Sequence, residues 1–266
     1  MTLDGKRVLV VGGGSGIGFA VAEAAQREGA SVVVASSNAE RVAAAAQRLG
    51  NAAQGERMDV TDEASVKGFF EGQAPFDHIA FTAGDWGGFR AATLKDLDLG
   101  GVFEGFRVRF LGALAVAKHG ATRLPPGGSL TLTDGMVAHR PAKGRFLSSA
   151  MAGSIEHLAR GLAVELAPIR VNCVCPAMIR TEIWDAFLPA EGREATMAKM
   201  TARQLIPRIG EPDETAQAYL YCMKAGYTTG QVLYVEGGSA LGSSSKRTPR
   251  GGSRRPPPSW AGRRSR

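Results

Sequence analysis

A glycine-rich turn near the N-terminus is the first group of residues whose types and spacing could do chemistry. The segment Gly12-Gly13-Gly14-Ser15-Gly16-Ile17-Gly18 follows an apolar run and opens an alanine-rich stretch. Glycines let the main chain approach a pyrophosphate, and a helix N-terminus supplies N–H donors and a positive dipole end. We therefore expect a dinucleotide to lie with its diphosphate on the amide hydrogens of these seven positions. The expected contacts are Gly12, Gly14, Ser15, Gly16, Ile17 and Gly18.

The residues after the second apolar run indicate which dinucleotide this is. An acid there would bond the adenosine ribose hydroxyls and repel a 2′-phosphate. This chain instead has Ser36, Ser37 and Asn38, with Arg41 shortly after. Their hydroxyls, amide and guanidinium could hold a phosphate, which favours NADP over NAD, although NAD stays possible. Ser37 and Asn38 could equally cap the following helix, and the two roles are compatible.

Apolar runs and helical stretches alternate along the chain. These elements must hold the glycine turn and the polar residues after the second apolar run in place. This alternation predicts an α/β fold of the Rossmann type, a doubly wound parallel sheet with helices on both faces. We expect one domain over residues 1–240. The predicted strands are Arg7–Val11, Ser31–Ser36, Glu56–Val60, Asp77–Ala83, Ser129–Thr133, Arg170–Cys175 and Gln231–Val235. The predicted helices include one from the glycine turn to about Glu28, and Ala39–Leu49, Val102–Leu124 and Ser148–Leu166.

Composition limits where the protein acts. No run approaches the roughly 18–20 apolar residues that a membrane helix needs, and the N-terminus lacks the pattern of a signal peptide. The three cysteines Cys173, Cys175 and Cys222 show no disulfide or metal-ligand spacing, so we expect buried thiols and no metal site. We expect a cytoplasmic protein that does not bind a membrane.

The C-terminal segment differs from the rest of the chain. The net charge is +7, but residues 241–266 hold one lysine, seven arginines and no acid, so the remainder is close to neutral. This tail is rich in Ser, Pro, Gly and Arg and has almost nothing to bury, which predicts disorder. A basic arm for nucleic acid is one interpretation, and an unstructured extension is the one we favour, since Trp260 is the single aromatic residue in it.

Several motifs, in order and at fitting spacings, resemble those of the short-chain dehydrogenase/reductase family over about residues 4–240. The glycine turn resembles that family's Thr-Gly-x-x-x-Gly-x-Gly, with Val11 in place of Thr. Thr82-Ala83-Gly84 resembles its Asn-Ala-Gly, and Arg170–Pro176 its Arg-Val-Asn strand. The resemblance implies a dinucleotide-dependent oxidoreductase, assembled as a homodimer or homotetramer through the two long helices. It adds the following cofactor contacts: Asp59, Val60, Thr82, Ala83, Gly84, Pro176, Ile179 and Thr181.

The residues that carry catalysis in the family are replaced here. In the family, a Tyr whose pKa is lowered by a Lys four residues later gives the alkoxide its proton, and a Ser and an Asn assist. Aligned on its neighbours, this chain has Ser148 at the Tyr position and Ala152 at the Lys position. Asp134 stands where Ser is expected and Arg109 where Asn is expected.

Three interpretations follow. The chain could be an oxidoreductase with a relocated proton donor, for which Asp134 is the best candidate if burial raises its pKa, with Arg109 to orient the substrate. It could reduce an activated alkene or iminium, for which water or Ser148 suffices as the acid. It could bind the dinucleotide without turnover, as a sensor or structural protein.

Each catalytic candidate also has a structural interpretation. Asp134 could form an ion pair with Arg109 or Arg140, Ser148 could cap a helix, and His139, a further possible donor, is most simply a solvated loop residue. The substrate would be a small carbonyl, enone or imine. Apolar side chains in the region 178–210 could shape its pocket or simply pack a short helix; they are Ile183, Trp184, Phe187 and Leu188.

Overall fold

Seven parallel strands form one sheet in the computed structural model, which describes residues 2–50, 53–84 and 93–241. Their order is β3-β2-β1-β4-β5-β6-β7, so the chain starts in the middle and crosses to each edge in turn. This confirms the predicted Rossmann-like sheet. The strands are β1 Arg7–Val11, β2 Ser31–Ser36, β3 Ala53–Arg57, β4 His78–Phe81, β5 Ser129–Thr133, β6 Arg170–Pro176 and β7 Val232–Val235.

Helices cover both faces of the sheet, because its central strands are apolar on both sides and need two covering layers. Side chains of the first, second and last helices pack on one face, and those of the third to fifth helices on the other. No helix in the described ranges is long and apolar enough to cross a bilayer. The helices are α1 Gly16–Arg27, α2 Ala39–Leu49, α3 Glu63–Glu71, α4 Gly112–Gly120, α5 Phe146–Glu165, α6 Arg193–Thr201 and α7 Pro212–Lys224.

Strand β3 starts and ends three residues before the predicted Glu56–Val60. Its pairing with β2 sets its position: Val32 lies opposite Ala53 and Ser36 opposite Arg57. The hydrogen bond from Met58 N to Ser36 O (2.9 Å) is the last in this ladder. Asp59 and Val60 therefore lie beyond the strand, at the carboxyl edge of the sheet where dinucleotides bind in such folds.

The helix predicted over Val102–Leu124 is broken into four pieces. A 3-10 turn over Val102–Phe106 is followed by a π turn over Arg107–Leu111, then α4, then a 3-10 turn over Ala121–Arg123. Gly112 begins α4 close to the chain at Val60, since a Cβ on this glycine would lie 2.9 Å from the Val60 Cβ. The π turn precedes this close approach and brings Arg109 into the interior.

Helix α5 begins two residues before its predicted start. Its N-cap is Arg145, so Ser148 lies inside the first turn and the idea that it caps this helix is wrong. The next residue, Ser149, donates from Oγ to the carbonyl of Val137 (2.7 Å), which holds the start of α5 against the preceding loop. The residues 242–266 of the predicted tail lie outside the described residues.

Candidate functional site

The glycine turn is too tight for larger residues at both of its ends. Gly12 has a φ of +85°, and a Cβ there would lie 2.5 Å from the main-chain nitrogen of Ala83. A Cβ on Gly18 would lie 2.2 Å from the Gly12 carbonyl oxygen, because the helix packs directly on the turn. Glycine is thus required at both ends of the turn by close main-chain contacts.

The amides of the turn divide into two groups. Gly12 N donates to Ala35 O (2.7 Å) and Gly13 N to Val10 O (3.2 Å), so these two are used by the fold. The expectation that all seven amides face a ligand is therefore corrected. Residues Gly14–Gly18 lead into the first turn of α1, where N–H groups have no partner within the helix. These residues fit a diphosphate because their main-chain N–H groups can donate to it. Most of them are glycines, so few side chains would keep the diphosphate away from the main chain.

Two side chains flank the turn. A Cβ on Gly14 would lie 2.8 Å from Cγ of Arg41, and one on Gly16 would lie 3.0 Å from Cγ2 of Thr181. Arg41 comes from the start of α2, and Thr181 from the loop after β6. The fold thus brings both predicted cofactor residues to the glycine turn.

The polar residues at the end of β2 and just after it form a cap and a short turn. Asn38 Oδ1 accepts from Arg41 N (2.8 Å), so the predicted capping role of Asn38 is confirmed. Ser36 Oγ donates to Asn38 O (3.3 Å). Arg57 donates from Nε to Ser37 O (3.2 Å), which brings a second guanidinium to this edge. The sequence analysis missed Arg57; its signal was its place at the end of β3, beside the end of β2.

Asp59 and Val60 have clear local partners. The Asp59 carboxylate accepts from Thr61 N (3.0 Å) and Thr61 Oγ1 (2.7 Å), and these hydrogen bonds lower the pKa of Asp59. The carboxylate is therefore ionised at neutral pH and fixed by its own turn. Val60 packs on Gly112. The contact between these two residues holds the segment after β3 against the start of α4. Contact with an adenine stays a prediction.

Thr82, Ala83 and Gly84 connect the glycine turn to the interior polar residues. Thr82 donates from N and from Oγ1 to Val11 O, each at 2.8 Å. The Arg109 guanidinium packs on Gly84, where an added Cβ would lie 2.5 Å from the Arg109 Cζ. Arg109 Nη1 then donates to the main-chain oxygen of Asp134 (3.4 Å). Contacts thus run without a break from Gly12 through Ala83 and Gly84 to Arg109 and Asp134.

Asp134 follows β5 and is only 2% exposed. Its main-chain N donates to Val174 O (3.1 Å), and neither carboxyl oxygen makes a well-formed hydrogen bond to another described residue. Burial and the neighbouring Glu156 raise the pKa of Asp134 to about 8. The side chain is therefore mainly a neutral acid at pH 7, the state that a proton donor needs.

Ser148, Ala152 and Glu156 lie at four-residue intervals on the buried face of α5. Ser148 is 1% exposed, and its hydroxyl has no hydrogen-bond partner among the described residues. Glu156, which the sequence analysis missed, accepts a hydrogen bond from His139. His139 is therefore not simply a solvated loop residue. The signal for Glu156 was its spacing, two helical turns after Ser148.

Asp134, His139, Glu156 and Cys175 lie together, with one candidate atom from each within 4.8 Å of the others. Groups of this composition can bind a metal ion. Here, burial raises the pKa of the Cys175 thiol far above its usual range, and the His139 nitrogen Nε2 is already bonded to Glu156. We interpret the cluster as a set of proton-holding groups.

The segment after β6 is anchored near the site. Pro176 ends β6, and the carbonyl of Ile179 accepts from Trp184 Nε1 (2.7 Å). Trp184 lies in a 3-10 turn over Glu182–Ala186, with its ring 6.5 Å from that of Phe187. Phe187 is 44% exposed, so the apolar residues of this segment are not all packed in the core.

The chain belongs to the short-chain dehydrogenase/reductase family. A family model described as enoyl-(acyl carrier protein) reductase matches residues 12–240. The short-chain dehydrogenase/reductase ATR9 of Stachybotrys chlorohalonatus is 32% identical over 255 residues, covering 90% of this chain and 99% of that protein. The chain is thus an NAD(P)-dependent oxidoreductase, as the glycine turn and the motif order indicate.

Two solved structures share this fold. A small-chain dehydrogenase in complex with NADPH superposes with a TM-score of 0.77 at 34% identity, covering 90% of this chain and 100% of that chain. The MalC reductase/Diels-Alderase of Malbranchea aurantiaca superposes with a TM-score of 0.82 at 32% identity, covering 90% and 97%.

Proposed function

We propose that this chain is an NADPH-dependent reductase of a small carbonyl, enone or imine, with Asp134 as its proton donor. The observation that supports this most is the unbroken path of contacts from the glycine turn to Arg109 and Asp134. It joins a diphosphate-binding turn to a buried acid that keeps its proton at neutral pH. A reductase needs these two features, one beside the other.

The cofactor would be held at the carboxyl edge of the sheet. Gly14–Gly18 would bind its diphosphate through main-chain amides, with Gly12 shaping the turn and Thr181 beside it. NADPH supplies a hydride when bound. The remaining proposed contacts are Asp59, Val60, Thr82, Ala83, Gly84, Pro176 and Ile179.

The preference for NADPH over NADH is supported by charge. Arg57 donates from Nε to Ser37 O, the Arg41 side chain lies against Gly14 nearby, and none of Ser36, Ser37 and Asn38 carries a negative charge. Guanidinium groups bind phosphate by paired, charge-assisted hydrogen bonds. A solved relative contains NADPH, which agrees with this preference.

The proton chemistry follows from the state of Asp134. Reduction of a carbonyl leaves an alkoxide, and the neutral Asp134 carboxyl can give it a proton as a general acid. Arg109 would orient the polar end of the substrate, because its guanidinium lies between Gly84 and Asp134. Ser148 is a weaker acid and would serve a substrate such as an iminium, whose reduction needs little protonation.

A binding and turnover experiment tests this proposal. NADPH fluorescence should change on addition of protein, and NADPH should be consumed with one of three probes: 9,10-phenanthrenequinone, 2-cyclohexenone or 1-pyrroline. Asp134→Asn should bind NADPH as well as the wild type but lose turnover on the order of 100-fold or more. Glu191→Gln, an exposed carboxylate on a loop, is the control and should be unchanged. Full activity in Asp134→Asn would overturn the role of Asp134. If the wild-type protein binds neither NADPH nor NADH, the whole proposal is overturned.

The assembly is also a proposal. We infer a homodimer or homotetramer that pairs through the α4 and α5 regions, where large apolar side chains are exposed. Leu111 and Leu114 are exposed in the first region, and Phe146 and Val164 in the second. We further propose that residues 1–240 form the functional domain. Light scattering of the full chain and of a chain cut after Ala240 should give the same oligomer, larger than a monomer.

A further inference from the structure

Four titratable side chains meet beyond the carboxyl end of β5. Asp134 follows the strand, His139 comes directly after the 3-10 turn Met136–Ala138, Glu156 comes from α5 and Cys175 from β6. Asp134, Glu156 and Cys175 are buried, whereas the His139 side chain is 34% exposed. The cluster thus reaches from a closed interior to solvent, and His139 is its outer member.

Hydrogen bonds and ion pairs order the outer half of this cluster. His139 Nε2 is bonded to Oε1 of Glu156, and Arg160 Nη2 lies 3.8 Å from the other oxygen, Oε2. The Tyr234 hydroxyl is 3.3 Å from the same His139 nitrogen, and the two rings meet edge to face at 5.0 Å. These contacts hold the imidazole between solvent and the Glu156 carboxylate.

The inner half has a different character. The Asp134 carboxyl oxygens have no well-formed hydrogen bond to a described residue, and the titratable groups close to them are Glu156, Cys175 and the ring of His139. Asp134 is 2% exposed, so while a substrate or product covers the carboxyl it has no contact with bulk water from which to recover a proton. The route to solvent that the geometry offers passes through Glu156 and His139.

We propose that Glu156 and His139 form a proton relay that reloads Asp134 from solvent after each turnover, an inference that rests on the proposed function of Asp134. Water protonates the exposed ring of His139. The imidazolium gives its Nε2 proton to Oε1 of Glu156 and becomes neutral. Glu156 then releases a proton to the Asp134 carboxylate and returns to its ionised form. One proton has moved from solvent to Asp134. His139 is left neutral with its proton on Nδ1 in place of Nε2, and it returns to the starting tautomer by proton exchange with solvent at its exposed ring.

The resting charges agree with this direction of transfer. Burial raises the pKa of Glu156, but the neighbouring Asp134 and the hydrogen bond from His139 outweigh this effect, so the pKa of Glu156 is lowered while that of Asp134 is raised. The proton therefore rests on Asp134 and only passes through Glu156. Cys175 is not a carrier, because burial keeps its thiol protonated. The titratable groups close to the Asp134 carboxyl are His139, Glu156 and Cys175, and its charge also acts on Cys173, Tyr219 and Tyr234. The Arg109 guanidinium lies against the main-chain oxygen of Asp134.

His139→Gln tests the relay, because a glutamine can keep the hydrogen bond to Glu156 but cannot transfer protons through a ring. With whichever of the three probes is consumed, the first turnover should proceed within about twofold of the wild type, since Asp134 starts with its proton. Later turnovers should slow on the order of 10- to 100-fold and recover in imidazole buffer. His119→Gln is the matched control: His119 is bonded to Glu63 at the surface (3.0 Å) and lies outside the relay.

A second measurement needs no substrate. In the infrared spectrum, the carbonyl stretch of protonated Asp134 is assigned by its loss in Asp134→Asn, and it shifts when the proton is exchanged for deuterium. After mixing with heavy water, this shift should be at least tenfold slower in His139→Gln and in Glu156→Gln than in the wild type or in His119→Gln. Equal exchange rates in all four proteins would overturn the relay.

The two proposals fail separately. If Asp134→Asn abolishes turnover while His139→Gln shows neither slow later turnovers nor rescue by imidazole, the relay is wrong and the proposed function stands. If Asp134→Asn stays fully active, the proposed role of Asp134 is wrong, and the relay falls with it.

Discussion

Replacing Asp134 by asparagine should change how the stability of the fold depends on pH. The pKa of Asp134 is raised from 3.8 to about 8, so between these values the unfolded chain releases a proton that the folded chain keeps. The unfolded state thus binds fewer protons, and stability falls as pH rises. One such group lowers the free energy of unfolding by about 1.4 kcal/mol per pH unit, or about 3 kcal/mol between pH 5 and pH 7. Below pH 3.8 both states are protonated and the effect vanishes.

Asparagine carries no charge, so Asp134→Asn removes this dependence. Urea unfolding of the wild type and the variant at pH 5, 6 and 7 gives the two curves. The difference between them should grow in favour of the variant by about 1.4 kcal/mol for each pH unit, although a buried amide also carries a constant cost. Titrating groups away from Asp134 occur in both proteins and cancel, whereas the pKa of Glu156, which Asp134 lowers, changes in the variant. Parallel curves would refute the reasoning, and Glu191→Gln should run parallel to the wild type.

Three further predictions concern the cofactor and the fold. Arg41→Ala and Arg57→Ala should each weaken NADPH binding about tenfold and leave NADH binding unchanged in fluorescence titrations, because each removes one charge-assisted phosphate contact. The pKa of His78 is lowered by burial to about 4, so the fold loses stability as pH falls from 6.5 to 4, and His78→Asn should lower the midpoint of acid unfolding. Arg170 donates to main-chain carbonyls at the end of α7, so Arg170→Met should cost about 3–5 kcal/mol in urea unfolding.

The strands of the sheet were predictable because their signals are local and strong. β1 and β2 are continuous apolar runs, as strands buried on both faces must be, and their predicted bounds are those observed. β3 has no such run, and its position depends on pairing with β2, which a single sequence does not record. The break in the helix before Gly112 likewise depends on a tertiary contact, with Val60.

The candidate site was predictable only where a motif or a mismatch marked it. Asp134 and Arg109 stood out because they replace expected residues, and the structure brings the Arg109 guanidinium to the Asp134 carbonyl. Glu156 fits an ordinary amphipathic helix, so its type gave no warning that it lies beside Asp134. The link between His139 and Glu156 joins residues 17 positions apart through the packing of a loop on α5, and helical spacing does not report it.

The most direct test of the account is a crystal structure of the protein with NADP bound. We predict the diphosphate on the amides of Gly14–Gly18, the 2′-phosphate between Arg41 and Arg57, and the carboxyl of Asp134 facing the space above the nicotinamide C4. A diphosphate bound elsewhere, or protein packed between Asp134 and the nicotinamide, would contradict it.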